Sequence, residues 1–167
     1  MNLPPDVVKN GFSLCDVNAT DVHDFVRITR LCLKKYIDED NNSFGEWNDD
    51  NVVNDFKDKM NRTFFQKLLL HDEVVGFMAY DVKEDKIDGI SMNLIEKARN
   101  HGIGSAYLSH ITQLSKAQDK PVFLYVMKSN PAQYLYERFG FKKNETREAF
   151  YLDAVYMDAV YLMEYNP

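Results

Sequence analysis

The sequence predicts a mixed α/β fold in one domain spanning residues 1–167. A chain of 167 residues with 45% hydrophobic content can fill one sizeable core. Short β-rich runs alternate with stretches whose apolar residues recur at helical spacing. The sequence contains no Gly/Ser linker and no low-complexity segment. We therefore expect no domain boundary.

The first half of the chain predicts a strand, two helices and a hairpin. FSLCDV is strand-like, and apolar residues recur at helical spacing from Val22 to Leu33. A polar segment containing Gly45 separates this helix from a shorter amphipathic helix in NVVNDFKDKM. TFFQKLLL and EVVGFMAYDV follow as two strands, joined at HDE by a segment with the length and composition of a hairpin turn.

The second half predicts two strands and two helices before the terminal segment. IDGISMNLI is a strand, Ile103 to Leu114 form a helical face, and PVFLYVMK is typical of a strand buried on both faces. NPAQYLYERFGF begins with a capping Asn130 and stops as a helix at Gly140. The predicted order is β-α-α-β-β-β-α-β-α-β.

One short repeat lies near the end of the chain. DAVYM at 153–157 is followed at once by DAVYL at 158–162. We interpret it as a local duplication that lengthens a terminal strand or hairpin. An arm joining two copies in a homodimer is the alternative.

Composition excludes several classes of function. The net charge of −6 argues against a nucleic-acid binder. No run approaches the roughly 18 apolar residues of a membrane span, and MNLPPDVVKN lacks the pattern of a secretory leader, so we expect a cytoplasmic protein that does not bind membranes. Cys15 and Cys32 lack CxxC spacing and are expected to be buried free thiols. The histidines show no zinc spacing, so no metal is expected.

Charge is distributed unevenly along the chain. Residues 38–58 carry eight carboxylates against one lysine, whereas residues 97–147 carry nine basic residues against three acidic ones. This asymmetry would suit a cationic ligand on one side and an anionic ligand on the other. The alternative is that both segments are solvated surfaces.

The segment RNHGIG, Arg99 to Gly104, lies where a predicted strand gives way to a helix. The first N–H groups of a helix lack partners within it and carry the positive end of its dipole. Gly102 and Gly104 permit close approach of a phosphate and positive φ, and Ser105 adds a hydroxyl. Neither the third glycine of the dinucleotide fingerprint nor the Walker G-K-[ST] follows.

The pattern R/Q-x-x-G-x-G/A between a strand and an amphipathic helix resembles the acetyl-CoA pyrophosphate loop of the GNAT superfamily of N-acetyltransferases. NPAQYLYERFGF resembles the segment in which that family places a pantetheine-contacting Asn, a helix with a tyrosine and a closing G-F. HDEVVGFMAY resembles the family's central hairpin, and YLMEY its last strand. The resemblance implies a mostly antiparallel central sheet flanked by helices, with acetyl-CoA as cosubstrate.

The resemblance also implies roles for individual residues. Backbone groups of Met92, Asn93 and Leu94 would bind the pantetheine and hold the developing oxyanion. The pyrophosphate would be bound mainly by main-chain N–H groups of Arg99, Asn100, His101, Gly102, Ile103, Gly104 and Ser105. Asn130 would contact the pantetheine, in competition with its capping role. Because Asn130 precedes Tyr136 by six residues where many relatives have seven, Ser129 is the alternative.

The implied reaction is direct attack of an amine on the thioester in a ternary complex, with no acyl-enzyme. Tyr136 would protonate the leaving thiolate, since a neutral phenol can donate to sulfur. Glu46 is the candidate base, with Asp88 or a chain of water molecules as alternatives. Tyr36 to Asp50 would form the acceptor wall. The expected partners of the 3′-phosphate are Arg138, Lys142 and Lys143.

A second interpretation keeps the fold without catalysis. No carboxylate lies on VFLYVMK, where some relatives carry a glutamate, which favours a CoA-binding sensor or interaction module. The sequence does not identify the acceptor amine.

Overall fold

The computed structural model describes residues 1–144 and 159–167, without the side chains of Asn41 and Asn42. The elements run in the order α1 (Pro5–Lys9), β1 (Phe12–Asp16), α2 (Val22–Glu39), α3 (Asn41–Phe44), α4 (Asp49–Arg62), β2 (Phe64–Leu70), β3 (Glu73–Val82), β4 (Ile87–Leu94), α5 (Ile103–Gln118), β5 (Val122–Met127), α6 (Ala132–Arg138), β6 (Lys142–Lys143) and β7 (Val160–Tyr165). The predicted order of elements is confirmed. The helices α1 and α3 and the strand β6 were not predicted, because each is too short to show a period.

The described residues form a sheet of seven strands in the order β1-β2-β3-β4-β5-β7-β6. Its neighbouring strands are antiparallel except for β4 and β5, which are parallel. This confirms the mixed, mostly antiparallel sheet that the resemblance implied. The hairpin turn is also confirmed, since His71 and Asp72 join β2 to β3 with φ values of 46° and 68°.

Helices cover both faces of the sheet. On one face, α2 and α4 pack through a phenylalanine cluster in which the Phe25 ring lies 5.3 Å from Phe56 and 5.2 Å from Phe77. On the other face, Tyr107, Leu108 and Ile111 of α5 are buried in the larger core cluster. Apolar faces on α2, α4 and α5 therefore cover the sheet on both sides.

The parallel pair β4–β5 separates soon after it forms. The described residues pair these two strands at Ile87 and Val122, next to a hydrogen bond from Ile87 N–H to the Pro121 carbonyl. On its other side, β4 pairs with β3 as far as Leu94, with an irregularity opposite Tyr80. Such bulges bend a strand. The last residues of β4 therefore keep one strand neighbour and leave a gap on the side of β5.

The two cysteines differ in exposure. Cys15 is exposed, so the expectation that both cysteines are buried is wrong for Cys15 and correct for Cys32. Phe12 and Leu14 pack against the core from one face of the edge strand β1. Cys15 lies on the opposite face, which is left uncovered.

The short repeat is described only in its second copy. DAVYM lies outside the described residues, whereas Val160 in the second copy begins β7. None of the helices described here is long and apolar enough to cross a bilayer.

Candidate functional site

A cavity of about 430 Å³ opens at the end of β4, where the gap toward β5 begins. Residues of α2, β4, the turn before α5 and α6 line it. Ten of the predicted cofactor-binding residues are among them: Met92, Asn93, Leu94, Arg99, Asn100, Gly102, Ile103, Gly104, Ser105 and Asn130. Residues that are distant in the sequence therefore meet in one cavity.

The turn before α5 forms an anion-binding backbone. Asn100 and Gly102 have φ values of 63° and 78°, and α5 begins directly afterwards at Ile103. Within the part of the chain that the structure describes, no side chain caps this helix N-terminus. Its first N–H groups therefore keep their hydrogen-bonding capacity and the positive end of the helix dipole, beside the cavity.

The two glycines of this turn have different roles. A Cβ at Gly102 would meet no atom within 4 Å, so its requirement for glycine comes from its left-handed φ of 78°. A Cβ at Gly104 would lie 3.2 Å from Leu135 Cδ2 and 3.2 Å from Met92 Cε. Gly102 therefore sets the backbone path, and Gly104 lets α5 approach α6 and β4 closely.

Arg99 folds back onto the turn. Its Nε donates a hydrogen bond of 2.8 Å to the Leu94 carbonyl, and its guanidinium lies 3.9 Å from Cys32 Sγ. Burial raises the pKa of the Cys32 thiol, and the neighbouring Arg99 partly opposes that shift. Arg99 therefore ties the turn to the end of β4 and to α2.

The β4 wall presents both backbone and side-chain polar groups. Within the described sheet, Met92, Asn93 and Leu94 pair with β3 on one side, and the ladder with β5 does not extend to them. The buried Asn93 side chain donates a long hydrogen bond of 3.4 Å to Thr29 Oγ1 on α2. The side of this segment toward β5 is therefore open to a ligand.

Asn130 can combine its two predicted roles. Its Oδ1 accepts a 2.9 Å hydrogen bond from Ala132 N, which caps the start of α6. The residue also lines the cavity, whereas Ser129 is exposed and does not. Because the cap uses only the side-chain oxygen, the two Nδ2 donors remain for a ligand.

Tyr136 is buried next to the cavity rather than in its lining. Its ring lies 6.1 Å from Phe141, and it is close to Tyr107, whose hydroxyl donates to the Ala79 carbonyl at 2.6 Å. Burial raises the pKa of Tyr136 to about 12. The phenol is therefore neutral at physiological pH, and its catalytic role stays a prediction.

Several other candidates lie outside the cavity lining. His101 is exposed, with its ring 5.0 Å from Phe12, and Glu46 lies on the exposed segment between α3 and α4. Asp88 is paired with Lys83 at 2.8 Å and Lys86 at 3.4 Å. Among residues 1–144 and 159–167, no three His, Cys, Asp or Glu side chains are grouped so that they could hold a metal ion.

Half of the carboxylates of the acidic segment are paired with basic residues nearby, among the residues that the structure describes. Four of its eight carboxylates form ion pairs: Asp38 with Lys34, Asp49 with Arg30, Asp55 with Lys59, and Asp58 with Arg62. Hydrogen bonds from Arg30 and Trp47 lower the pKa of Asp49. A solvated surface is therefore a sufficient explanation of the acidic half of the charge asymmetry.

Sequence reasoning missed part of the cavity wall. Cys32 and Leu33 on α2 and Leu135 on α6 line it without having been proposed. Cys32 and Tyr36 stand four residues apart on α2, and Ala132, Leu135 and Arg138 three apart on α6. These spacings show that the residues share a helix face. They do not show which face meets a cavity.

The chain is similar to known proteins in both sequence and fold. The family model described as acetyltransferase (GNAT) family matches residues 31–141. The chain belongs to the GNAT acetyltransferase family. Its fold matches PaiA N-acetyltransferase from Thermoplasma acidophilum in complex with coenzyme A, at a TM-score of 0.65 and 16% identity over 93% of this chain and 99% of that one.

Two further GNAT structures have the same fold. Arabidopsis thaliana Naa50, in complex with the bisubstrate analogue CoA-Ac-MVNAL, matches with a TM-score of 0.66 and 18% identity over 94% of this chain and 99% of that one. The ribosomal-protein-S18-alanine N-acetyltransferase of Escherichia coli matches with a TM-score of 0.64 and 17% identity over 93% of each chain.

Among curated proteins, the mouse cysteine-rich protein 2-binding protein is 37% identical over 91 residues. The match covers 52% of this chain and 11% of that protein. This chain therefore corresponds to a small part of that relative.

Proposed function

We propose that this chain transfers an acetyl group from acetyl-CoA to a primary amine, by direct attack of the amine on the thioester in a ternary complex. One observation carries the proposal. The uncapped N-terminus of α5 and the open side of β4 at Met92–Leu94 line the same cavity. If the phosphates of acetyl-CoA bind at the N-terminus of α5, the thioester at the other end of the molecule would lie beside β4. Family membership supports acetyl-CoA as the donor.

In this proposal the chain contributes two groups to the chemistry. A β4 N–H stabilises the oxyanion that develops on the thioester carbonyl, since preorganised donors act most strongly where charge develops. Tyr136 donates to the sulfur. With a pKa of about 12 against about 8.5 for a solvated thiol, full proton transfer to a solvated thiolate would cost about 5 kcal/mol.

A hydrogen bond from Tyr136 therefore precedes proton transfer in this scheme. Burial narrows the difference in pKa between Tyr136 and the leaving thiol, because burial raises the pKa of a thiol as well. It does so for Cys32 in the same cavity wall. The proton then moves as the thiolate leaves.

For the acceptor, we propose a peptide or protein amine. The support is the likeness to a structure holding a CoA conjugate of MVNAL and to an enzyme named for an alanine of ribosomal protein S18. The proton lost by the incoming ammonium passes through water to Glu46 in this proposal. Glu46 is exposed, so a water relay is needed.

The second candidate function is a CoA-binding sensor without catalysis. Its support is the charge of the cavity lining. Among the described residues, the ionised side chains of the lining are Arg99 and Arg138, and no carboxylate or histidine belongs to it. A cationic lining binds an anionic cofactor and provides no base for the amine.

Two measurements test these functions. Calorimetry with CoA reports binding, and release of free thiol from acetyl-CoA reports transfer across a panel of N-terminal peptides, polyamines and aminoglycosides. We expect CoA binding and amine-dependent thiol release, with the acetylated amine seen by mass spectrometry. Binding without transfer would support the sensor, and absence of CoA binding at high micromolar concentration would exclude both functions.

A further inference from the structure

We propose that the side chain of Asn93 binds the acceptor, its Oδ1 accepting a hydrogen bond from the incoming amine on the α2 side of the sheet. This inference rests on the proposed function, since it assigns one side chain of the same cavity to the acceptor. It goes beyond that function because the predicted role of Asn93 was in its backbone. It also specifies the face of the sheet from which the amine attacks.

The side chain of Asn93 lies on the face of the sheet that α2 covers. Asn93 is paired directly with Phe77 of β3, whose ring packs against α2. Its Nδ2 donates the hydrogen bond of 3.4 Å to Thr29 Oγ1, which is also on α2. The preceding residue, Met92, faces the other way, since its Cε lies 3.2 Å from where a Cβ at Gly104 of α5 would be. The Asn93 side chain and the N-terminus of α5 therefore lie on opposite faces of β4.

The oxygen of the Asn93 side chain is an acceptor that the protein leaves unused. Asn93 is 7% exposed and lines the cavity, and no residue that the structure describes donates to its Oδ1. Tyr36 on α2 is also 7% exposed and lines the cavity, and its hydroxyl is hydrogen-bonded to none of the described residues. Buried polar groups are normally hydrogen-bonded, so open groups beside a cavity indicate a polar ligand. The α2 side of the cavity therefore fits a ligand with N–H groups.

Among the reacting groups, the amine fits Oδ1 and the thioester does not. An amide oxygen only accepts, and the carbonyl oxygen and sulfur of a thioester have no proton to donate. In the proposed function a β4 N–H binds the carbonyl oxygen. Such a donor lies near the plane of the carbonyl group. A thioester held beside β4 in this way presents its two faces to the two sides of the sheet.

The two sides of the sheet are occupied differently at this point. On the α5 side, Met92 and Leu135 approach the first turn of the helix, and Tyr136 is buried behind the cavity lining. On the α2 side lies the open Oδ1 of Asn93. An amine on that side can direct its lone pair at the carbonyl carbon and one N–H at Oδ1. The attacking amine and the proton donor to the sulfur then lie on opposite faces of the thioester.

The hydrogen bond to Oδ1 strengthens during the reaction. Positive charge develops on the amine nitrogen as the N–C bond forms, and a charged donor makes the stronger hydrogen bond. The C–S bond breaks as the N–C bond forms, and its electron pair leaves on the sulfur. Of the two protons that the ammonium loses, one is released through water and the other replaces the proton that Tyr136 gives to the sulfur.

The test separates acceptor binding from CoA binding in Asn93→Leu, which keeps the approximate size of the side chain and removes its polar atoms. Steady-state kinetics use saturating acetyl-CoA and the amine of the panel above that releases thiol fastest with the wild type. We expect kcat/KM for the amine to fall about tenfold, as for the loss of one hydrogen bond. The Kd of CoA, measured by calorimetry, should stay within about twofold of the wild type.

Thr29→Val is the matched control. It removes the partner of Asn93 Nδ2 but leaves Oδ1, and Thr29 does not line the cavity. We expect it to lower kcat/KM for the amine by at most about threefold. The double variant Thr29→Val/Asn93→Leu replaces both partners of a buried hydrogen bond with apolar groups, which is often nearly neutral for stability. It should unfold near the wild-type temperature and still show the tenfold loss.

The other outcomes contradict the inference in distinguishable ways. A wild type that releases no thiol with any amine contradicts the proposed function, and this inference with it. In an active wild type, an unchanged kcat/KM in Asn93→Leu and in the double variant contradicts only the role of Asn93. An equal loss in Thr29→Val would show that the contact between α2 and β4 matters rather than the open oxygen. A parallel loss of CoA affinity would assign Oδ1 to an N–H of the pantetheine instead of the amine.

Discussion

The turn before α5 and the helix α6 both line the cavity and are built in different ways. The turn offers main-chain N–H groups, which depend on the backbone path through Gly102. The helix offers the side chains of Ala132, Leu135 and Arg138, which depend on the face that it turns inward. A backbone site tolerates most side-chain changes, whereas a side-chain site depends on individual residues. Substitutions in the two walls should therefore have different effects.

The largest expected effect is on turnover, from Tyr136→Phe on α6. Loss of the phenol proton should lower kcat about 100-fold, as for removal of a general acid. CoA affinity should change little, because the ring still packs near Phe141. Steady-state kinetics and calorimetry check both quantities. Tyr134→Phe on the same helix removes an exposed hydroxyl and is the control.

Two outcomes would contradict the role of Tyr136: unchanged turnover in Tyr136→Phe, or an equal loss in Tyr134→Phe. The pH profile gives a further check. Because burial holds the pKa of Tyr136 at about 12, its proton is retained through pH 10, and wild-type kcat should not fall between about pH 8 and 10 through this group.

The next largest effect is expected in the turn, from Gly102→Asp. The new residue must adopt a φ of 78°, at about 1–2 kcal/mol, and its carboxylate would occupy the helix N-terminus in place of a phosphate. We expect CoA binding about 30-fold weaker by calorimetry. Gly45→Asp, at a φ of 70° in open space outside the cavity, is the matched control.

If Gly45→Asp weakens CoA binding as much as Gly102→Asp, the loss reflects general destabilisation and the α5 N-terminus is not the anion site. Arg99→Ala should weaken CoA binding less than Gly102→Asp. Arg99 supports the turn through its side-chain hydrogen bond to the Leu94 carbonyl, whereas Gly102 sets the backbone path.

A smaller effect on CoA affinity is expected from substitutions of Asn130, which separate its capping role from its proposed contact with the ligand. Asn130→Asp keeps the oxygen that caps Ala132 N but loses the Nδ2 donors. Its thermal stability should match the wild type. CoA affinity should fall at least about fivefold, because one hydrogen bond is lost and a negative charge is added beside an anionic cosubstrate. Asn130→Ala should also lose about 1 kcal/mol of stability. Unchanged CoA affinity in both variants would leave Asn130 only its capping role.

The smallest effect is expected from Gly104→Ala. The added Cβ would lie 3.2 Å from the flexible ends of Leu135 and Met92, which can move by a few tenths of an ångström. The gain in helix propensity of about 1 kcal/mol offsets this crowding. Thermal unfolding should shift by less than about 1 kcal/mol and CoA affinity by less than about threefold. A loss as large as that of Gly102→Asp would show that the close approach of α5 and α6 is essential.

The fold was predictable in its order of elements, because periodicity and turn chemistry act over a few residues. His71 and Asp72 make the two-residue turn expected at HDE, and α5 begins one residue after Gly102. Cys15 was misassigned because strand alternation does not reveal that β1 is an edge strand.

The sequence by itself determined the succession of strands and helices, the glycine turn and the family resemblance, since each is encoded by neighbouring residues. Only the tertiary structure decided where β4 and β5 separate, which faces of α2 and α6 enclose the cavity, and that Tyr136 is buried behind its lining while Arg138 lies at its rim. The reason is physical. These features depend on the packing of elements far apart in the chain, and a local pattern carries no information about its distant partner.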